Sequence, residues 1–236
     1  MSEQPNHRSA LNGIEQDLSN GSYRVGSWQR WLAGVALDPA FPLAQFAAQI
    51  DQVSNQLHRR HAFREMPFDV AYCVEWLVAI AGVTVMTTGS ITGVLIGTAL
   101  CGAASQPLIK TSVGLLLGVR YAYAYLWYFE PRFKMRYSTY LALTPRSRIV
   151  LHLAGSVGTP AALAAGCWQA AAHSTVWAVL IGLAAAGAGA MQIAAFVAEA
   201  MGVKRVAGFR LADLTSPATA AREWRALAKT PSTQDA

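Results

Sequence analysis

The stretch FDVAYCVEWLVAIAGVTVMTTGSITGVLIGTALCGAASQPLIKTSVGLLLGVRYAYAYLWYFE, residues 68–130, decides the fold. Before the closing Glu130, charge enters it only at Asp69, Glu75, Lys110 and Arg120. About 20 apolar residues let one helix cross a bilayer, so this block holds more than one crossing. A second apolar block, residues 149–201, follows. Hydrophobic residues make up 53% of the chain and charged residues only 14%, where about 25% charged is usual in soluble domains. These features predict an all-α integral membrane protein. It has about four transmembrane helices, a Gly-rich segment that is re-entrant or a fifth span, and amphipathic N-terminal helices.

Within the first block, Pro67 is placed to open a spanning helix over 68–88, because a first-turn proline loses no helical hydrogen bond. Residues 90–110 are apolar but rich in Gly, Ser, Thr and Ala, and read as the re-entrant segment. Residues 111–130 read as the next spanning helix, since YAYAYLWYFE carries the Tyr and Trp of a membrane-interface belt. Helices over 149–172 and 175–201 follow, joined by a tight turn at His173-Ser174. The chain divides into an N-terminal region (1–67), a transmembrane domain (68–201) and a C-terminal tail (202–236).

Charge sets the expected topology. Of the 19 lysines and arginines, six lie in 1–67, five in 130–148 and six in 202–236. The positive-inside rule assigns all three segments to the cytoplasm. Four spans satisfy it if 90–110 is re-entrant and its irregular backbone is buried in protein, with Lys110 exposed on the far side. Five spans would put one basic segment outside. The expected location is therefore the cell inner membrane, multi-pass, with both termini cytoplasmic. The net charge of +6 is then explained by orientation and lipid, not by a nucleic-acid partner.

Residues 1–23 are polar and read as a mobile tail. Trp28, Trp31, Leu32, Val35 and Leu37 mark a short amphipathic helix, packed on the membrane domain or lying in the headgroup layer. A second amphipathic helix over 43–63 ends in His58, Arg59, Arg60, His61 and Arg64. Arg59, Arg60 and Arg64, with Arg132, Lys134 and Arg136, form a collar suited to anionic headgroups, making membrane lipids the first partners. Residues 217–229 suit a surface helix. Cys73, Cys101 and Cys167 read as small apolar residues, without disulfide or metal roles. No cofactor is expected: His152 and His173, about 30 Å apart along a helix, do not make a haem site.

Glu75 and Arg120 are the sharpest polar signal. A lone charge in hydrocarbon costs at least about 2.5–3.5 kcal/mol, so the two are expected to pair across the membrane. Gly93, Gly97, Gly114, Gly118, Gly158 and Gly189 recur at spacings that allow close helix packing, within the chain or between subunits. No phosphate-binding loop, serine-nucleophile elbow or paired-cysteine motif occurs. The expected function is a non-enzymatic structural or scaffold subunit of a multiprotein envelope complex, such as a secretion or conjugation apparatus. Its partners are other membrane subunits or further copies of the chain. The alternative is a small transporter or channel using the Glu75–Arg120 pair.

Overall fold

The computed structural model describes residues 7–36, 38, 40–61, 64–127, 130–203, 205–206, 209–210 and 215–229. Three short helices lead: α1 (His7–Ser19), α2 (Ser27–Val35) and α3 (Leu43–Arg59). Strand β1 (Glu65–Met66) precedes two long helices, α4 (Phe68–Met86) and α5 (Ile91–Leu116). Strands β2 (Tyr121–Trp127) and β3 (Glu130–Met135) and the short α6 (Tyr137–Leu141) connect these to α7 (Pro145–Ala171) and α8 (Thr175–Ala200). The two-residue strands β4 (Arg205–Val206) and β5 (Phe209–Arg210) pair with each other ahead of α9 (Ser216–Lys229).

Four helices, α4, α5, α7 and α8, are long and apolar enough to cross a membrane. Their ends are set by local chemistry. Ser90, Thr144 and Ser174 cap α5, α7 and α8 through their side-chain oxygens, and Pro145 fills the first position of α7. The helices form a row: α4 packs on α5, α5 on α7, and α7 on α8. In the inner pair α5 and α7, 39% and 33% of the apolar window is buried, against 17% and 11% in the flanking α4 and α8.

Glycine makes the row tight. A Cβ on Gly97 of α5 would strike the Gly82 carbonyl oxygen of α4, and one on Gly158 of α7 would lie 2.6 Å from the Ser105 backbone of α5. Thr159 on α7 donates to the Gly102 carbonyl of α5 at 3.2 Å. The α5–α7 contact thus combines close backbone approach with an interhelical hydrogen bond.

Two expectations are corrected in the first block. Residues 90–110 are not re-entrant but form most of a regular 26-residue helix, because a Gly- and Ala-rich helix is stable when its small residues are packed on both sides. Residues 111–130 are not a spanning helix. Gly118, at φ +91°, ends α5: its N–H bonds the Leu115 carbonyl and the Val119 N–H bonds the Gly114 carbonyl at 2.8 Å. The alternating Tyr-Ala-Tyr-Ala-Tyr that follows then runs as a strand, with Tyr121 and Tyr123 turned inward. A small antiparallel sheet, β1-β2-β3, therefore joins an otherwise mostly helical fold.

The remaining elements gather at one end of the row, as a cap. The tail expected to be mobile is helical from His7 to Ser19 and packed: Leu11 and Ile14 join Trp28, Trp31, Val35, Ile50 and Val53 in a core of its own. Trp28 and Trp31 stack 5.1 Å apart inside it, not in a headgroup layer. Leu37 and Phe63, also assigned to helices by sequence, lie outside the described residues. Hydrogen bonds tie this unit to the rest: Asp51 accepts from the N–H and hydroxyl of Ser138, and Lys134 donates to Ser54 at 2.6 Å. At the row's end, Phe68 stacks on Tyr121 at 5.2 Å, with Phe133 edge-on. Among the described residues, the opposite end has the turns at 87–90 and 172–174.

Candidate functional site

The densest polar constellation is where α9 crosses the cap end of α7 and α8. Arg148 lies in the first turn of α7 with its side chain only 3% exposed. That end of a helix carries positive partial charge, so a buried cation there is doubly disfavoured. The Glu223 carboxylate of α9 answers it at 2.9 Å, and the Ala36 carbonyl accepts a further hydrogen bond at 3.3 Å. The mirror case occurs on α8. Glu199, 3% exposed, sits at the negative C-terminal end and is paired to Arg225 of α9, with Arg222 at 3.9 Å. Helix α9 therefore presents an anion to a misplaced cation and cations to a misplaced anion. Its buried Ala218, Ala220 and Ala221 let it seat closely.

A hydrogen-bonded chain runs inward from Glu223. The Tyr140 hydroxyl donates to Glu223 Oε1 at 3.1 Å and lies 3.0 Å from His152 Nε2. With the Tyr140 proton committed to the carboxylate, His152 must donate through Nε2–H. Burial, then the Glu223 charge, pushes the Tyr140 phenol well above its ordinary range, so it remains a donor. The arrangement can hold a proton chain from cap to membrane helix, and it locks α6, α7 and α9 in one register. A cavity of about 390 Å³ adjoins it, with Arg148, Glu223, Asp38 and Phe41 among its walls.

The structure does not bring Glu75 and Arg120 together. Glu75 is buried on the stripe of α4 that carries Ala71, Gly82 and Met86. Arg120 is exposed after the end of α5, where its backbone N–H meets Thr139 at 3.0 Å. The expected pairing assumed a helix through 120, and the turn at Gly118 removes it. Lys110 is likewise not on the far side: it reaches Ser216 at the cap end, 3.0 Å away.

The expected collar is split by environment. Arg59 is exposed and pairs with Glu65 at 3.2 Å, Arg60 lies over the Tyr23 ring, and Arg64 and Arg136 are exposed. Arg132 and Lys134 are half-buried and line a cavity. Among the glycines, Gly97 and Gly158 sit at helix contacts, Gly93 faces Thr88 in the turn, Gly114 lies under Tyr121, and Gly118 ends α5. Nothing lies within 4 Å of a Cβ built on Gly189.

Sequence reasoning missed Arg148, Glu223 and Tyr140. Arg148 could have been found, since it shares an apolar helix face with Leu151 and His152; Glu223 carries no local signal. No family model matches the chain, and no curated protein or solved structure matches it.

Proposed function

We propose that the chain is a non-enzymatic scaffold subunit of an inner-membrane assembly, with its cap and both described ends of the chain in the cytoplasm. The observation that supports this is a patch of small residues on the outer helix α8, set among large groups like those of α4. The outward face of α4 carries large aliphatic groups, Val70, Val74, Leu77 and Val83, 46–64% exposed, which suit lipid. The outward face of α8 also carries large groups, Leu183, Met191, Ile193 and Val197, 45–73% exposed, but between them runs a patch of exposed small residues, Ala186, Gly187, Ala190 and Ala194, where a Cβ on Gly187 would touch nothing. Small residues at this spacing fill lipid contact poorly and suit the backbone of another helix.

The basic cap supports the cytoplasmic assignment through the positive-inside rule, since every lysine and arginine among the described residues lies at that end. A secretion or conjugation apparatus would be one such assembly, but nothing in the fold favours either, so the proposal does not extend to them. The transporter alternative loses its Glu75–Arg120 pair.

Cysteine crosslinking tests the reading. In a cysteine-free background, Gly187→Cys and Ala190→Cys should crosslink to neighbouring chains in native membranes, while Val74→Cys and Leu77→Cys should not. Products containing two copies would identify a homo-oligomer, and products with another chain a mixed complex. Absence of crosslinks from α8, or equal yield from α4, sinks the proposal.

A further inference from the structure

The cavity of about 390 Å³ beside Arg148 and Glu223 is walled by separate parts of the fold. One wall comes from around the link between α2 and α3, the others from the end of α6, the first turn of α7 and the second half of α9. The cavity therefore lies where the α1–α3 core meets the helix row and α9. Joints between packed units are frequent places for small-molecule sites, which combine apolar walls with a few convergent polar groups.

Both ingredients are present. Phe41, Leu43, Leu141 and Leu143 give the cavity an apolar lining, and Asp38, Glu223 and Arg148 are its charged walls. The three charges are not equally open. The Arg148 side chain is 3% exposed, against 18% for Glu223 and 31% for Asp38. The guanidinium is turned to Glu223 and the Ala36 carbonyl, which leaves carboxylate as the accessible charge. Glu223 is answered by Arg148 at 2.9 Å. Asp38 is less well matched. Its Oδ1 accepts the Ala40 N–H at 3.0 Å. Its Oδ2 has, among the described residues, one ionic neighbour: His7 at 3.5 Å, which carries charge only when protonated.

These walls select the sign and shape of an occupant. An anion would meet two carboxylates, and a neutral alcohol would leave the Asp38 charge unanswered. A protonated amine brings three N–H donors, and its hydrogen bonds to a carboxylate are of the stronger, charge-assisted kind. We propose that this cavity binds a small ammonium ion with an apolar body, its head at Asp38 and its body against Phe41 and the leucines. Such a site stands apart from the α8 patch and does not depend on what packs there. Its occupant touches the α2–α3 link and α9 together, and so adds to the contacts that join them.

The test uses the full chain purified in an uncharged detergent. Its thermal unfolding midpoint is titrated separately with phenethylammonium, phenethyl alcohol and hydrocinnamate, which share an aromatic body and differ in the charge of the head. A saturable rise is expected with phenethylammonium alone. Asp38→Asn keeps an acceptor for the Ala40 N–H but removes the charge, and should weaken the apparent affinity roughly tenfold or more. Asp17→Asn, on α1 and outside the cavity's described lining, should leave it unchanged. If Asp38→Asn does not fold, the comparison of the three molecules on the unaltered protein decides. The proposal is overturned if phenethylammonium gives no saturable rise, or if the alcohol or the anion gives an equal one. It is also overturned if a folded Asp38→Asn binds as the unaltered protein does, or if Asp17→Asn weakens binding as much, which would mean diffuse attraction to an acidic surface.

Discussion

At the scale of single residues, the protein's stability turns on buried charges that only specific partners neutralise. Removing one member of the Arg148–Glu223 pair leaves the other in a nearly dry site, so Glu223→Gln or Arg148→Met should each cost about 3–5 kcal/mol in detergent unfolding. The double variant should recover much of that loss. The same cycle on Glu75→Gln and Arg120→Leu should be additive to within about 0.5 kcal/mol, because the two residues do not meet. His58 makes a separate prediction about acid. Burial, then Lys134, holds its imidazole down to about 4 from 6.5, and its Nδ1 lies 2.9 Å from the Tyr123 hydroxyl. The unfolded chain takes up this proton near pH 6.5 while the folded chain resists it. His58 therefore leaves stability unchanged above pH 6.5 and lowers it as pH falls from 6.5 to 4. Melting curves of His58→Gln should lose part of that acid-side slope; an unchanged slope would assign the acid sensitivity to other groups.

At the scale of elements, small residues mean different things on different helices. Gly97→Ala and Gly158→Ala should each destabilise the isolated chain by about 1–3 kcal/mol, since the added methyl group meets backbone that cannot step aside. Gly187→Ala should be neutral in the same detergent unfolding assay. The sequence shows the glycines equally in all three places, and only the partner face tells them apart. The apolar blocks, the last hairpin and the amphipathic character of residues 27–35 and 43–59 were legible from periodicity and composition. The β-strand at 121–127 is harder to read, although its Tyr-Ala alternation has the two-residue period of a strand, because the same aromatic run suits an interfacial helix end. The α9 clamp was illegible for another reason: Glu223 and Arg148 lie 75 positions apart, and no local pattern links a surface helix to the foot of a membrane helix.

At the scale of the whole molecule, the row of four helices returns the chain to one side twice, with all described lysines and arginines toward that side. In a cysteine-free background, a membrane-impermeant maleimide should label His173→Cys in intact cells, while Arg146→Cys should react only after permeabilisation. The reverse pattern would invert the orientation. The clamp adds a matter of timing. The ribosome makes α9 after all four membrane helices, yet Arg148 and Glu199 depend on it. Between the lateral release of α8 into the bilayer and the arrival of α9, the nascent protein displays a cation and a carboxylate whose mates have not been synthesised. A stop codon in place of Ser216 should therefore give a short-lived product in a pulse-chase, despite four intact spans. Membrane proteases that read exposed charge would then distinguish a finished translation product from an interrupted one.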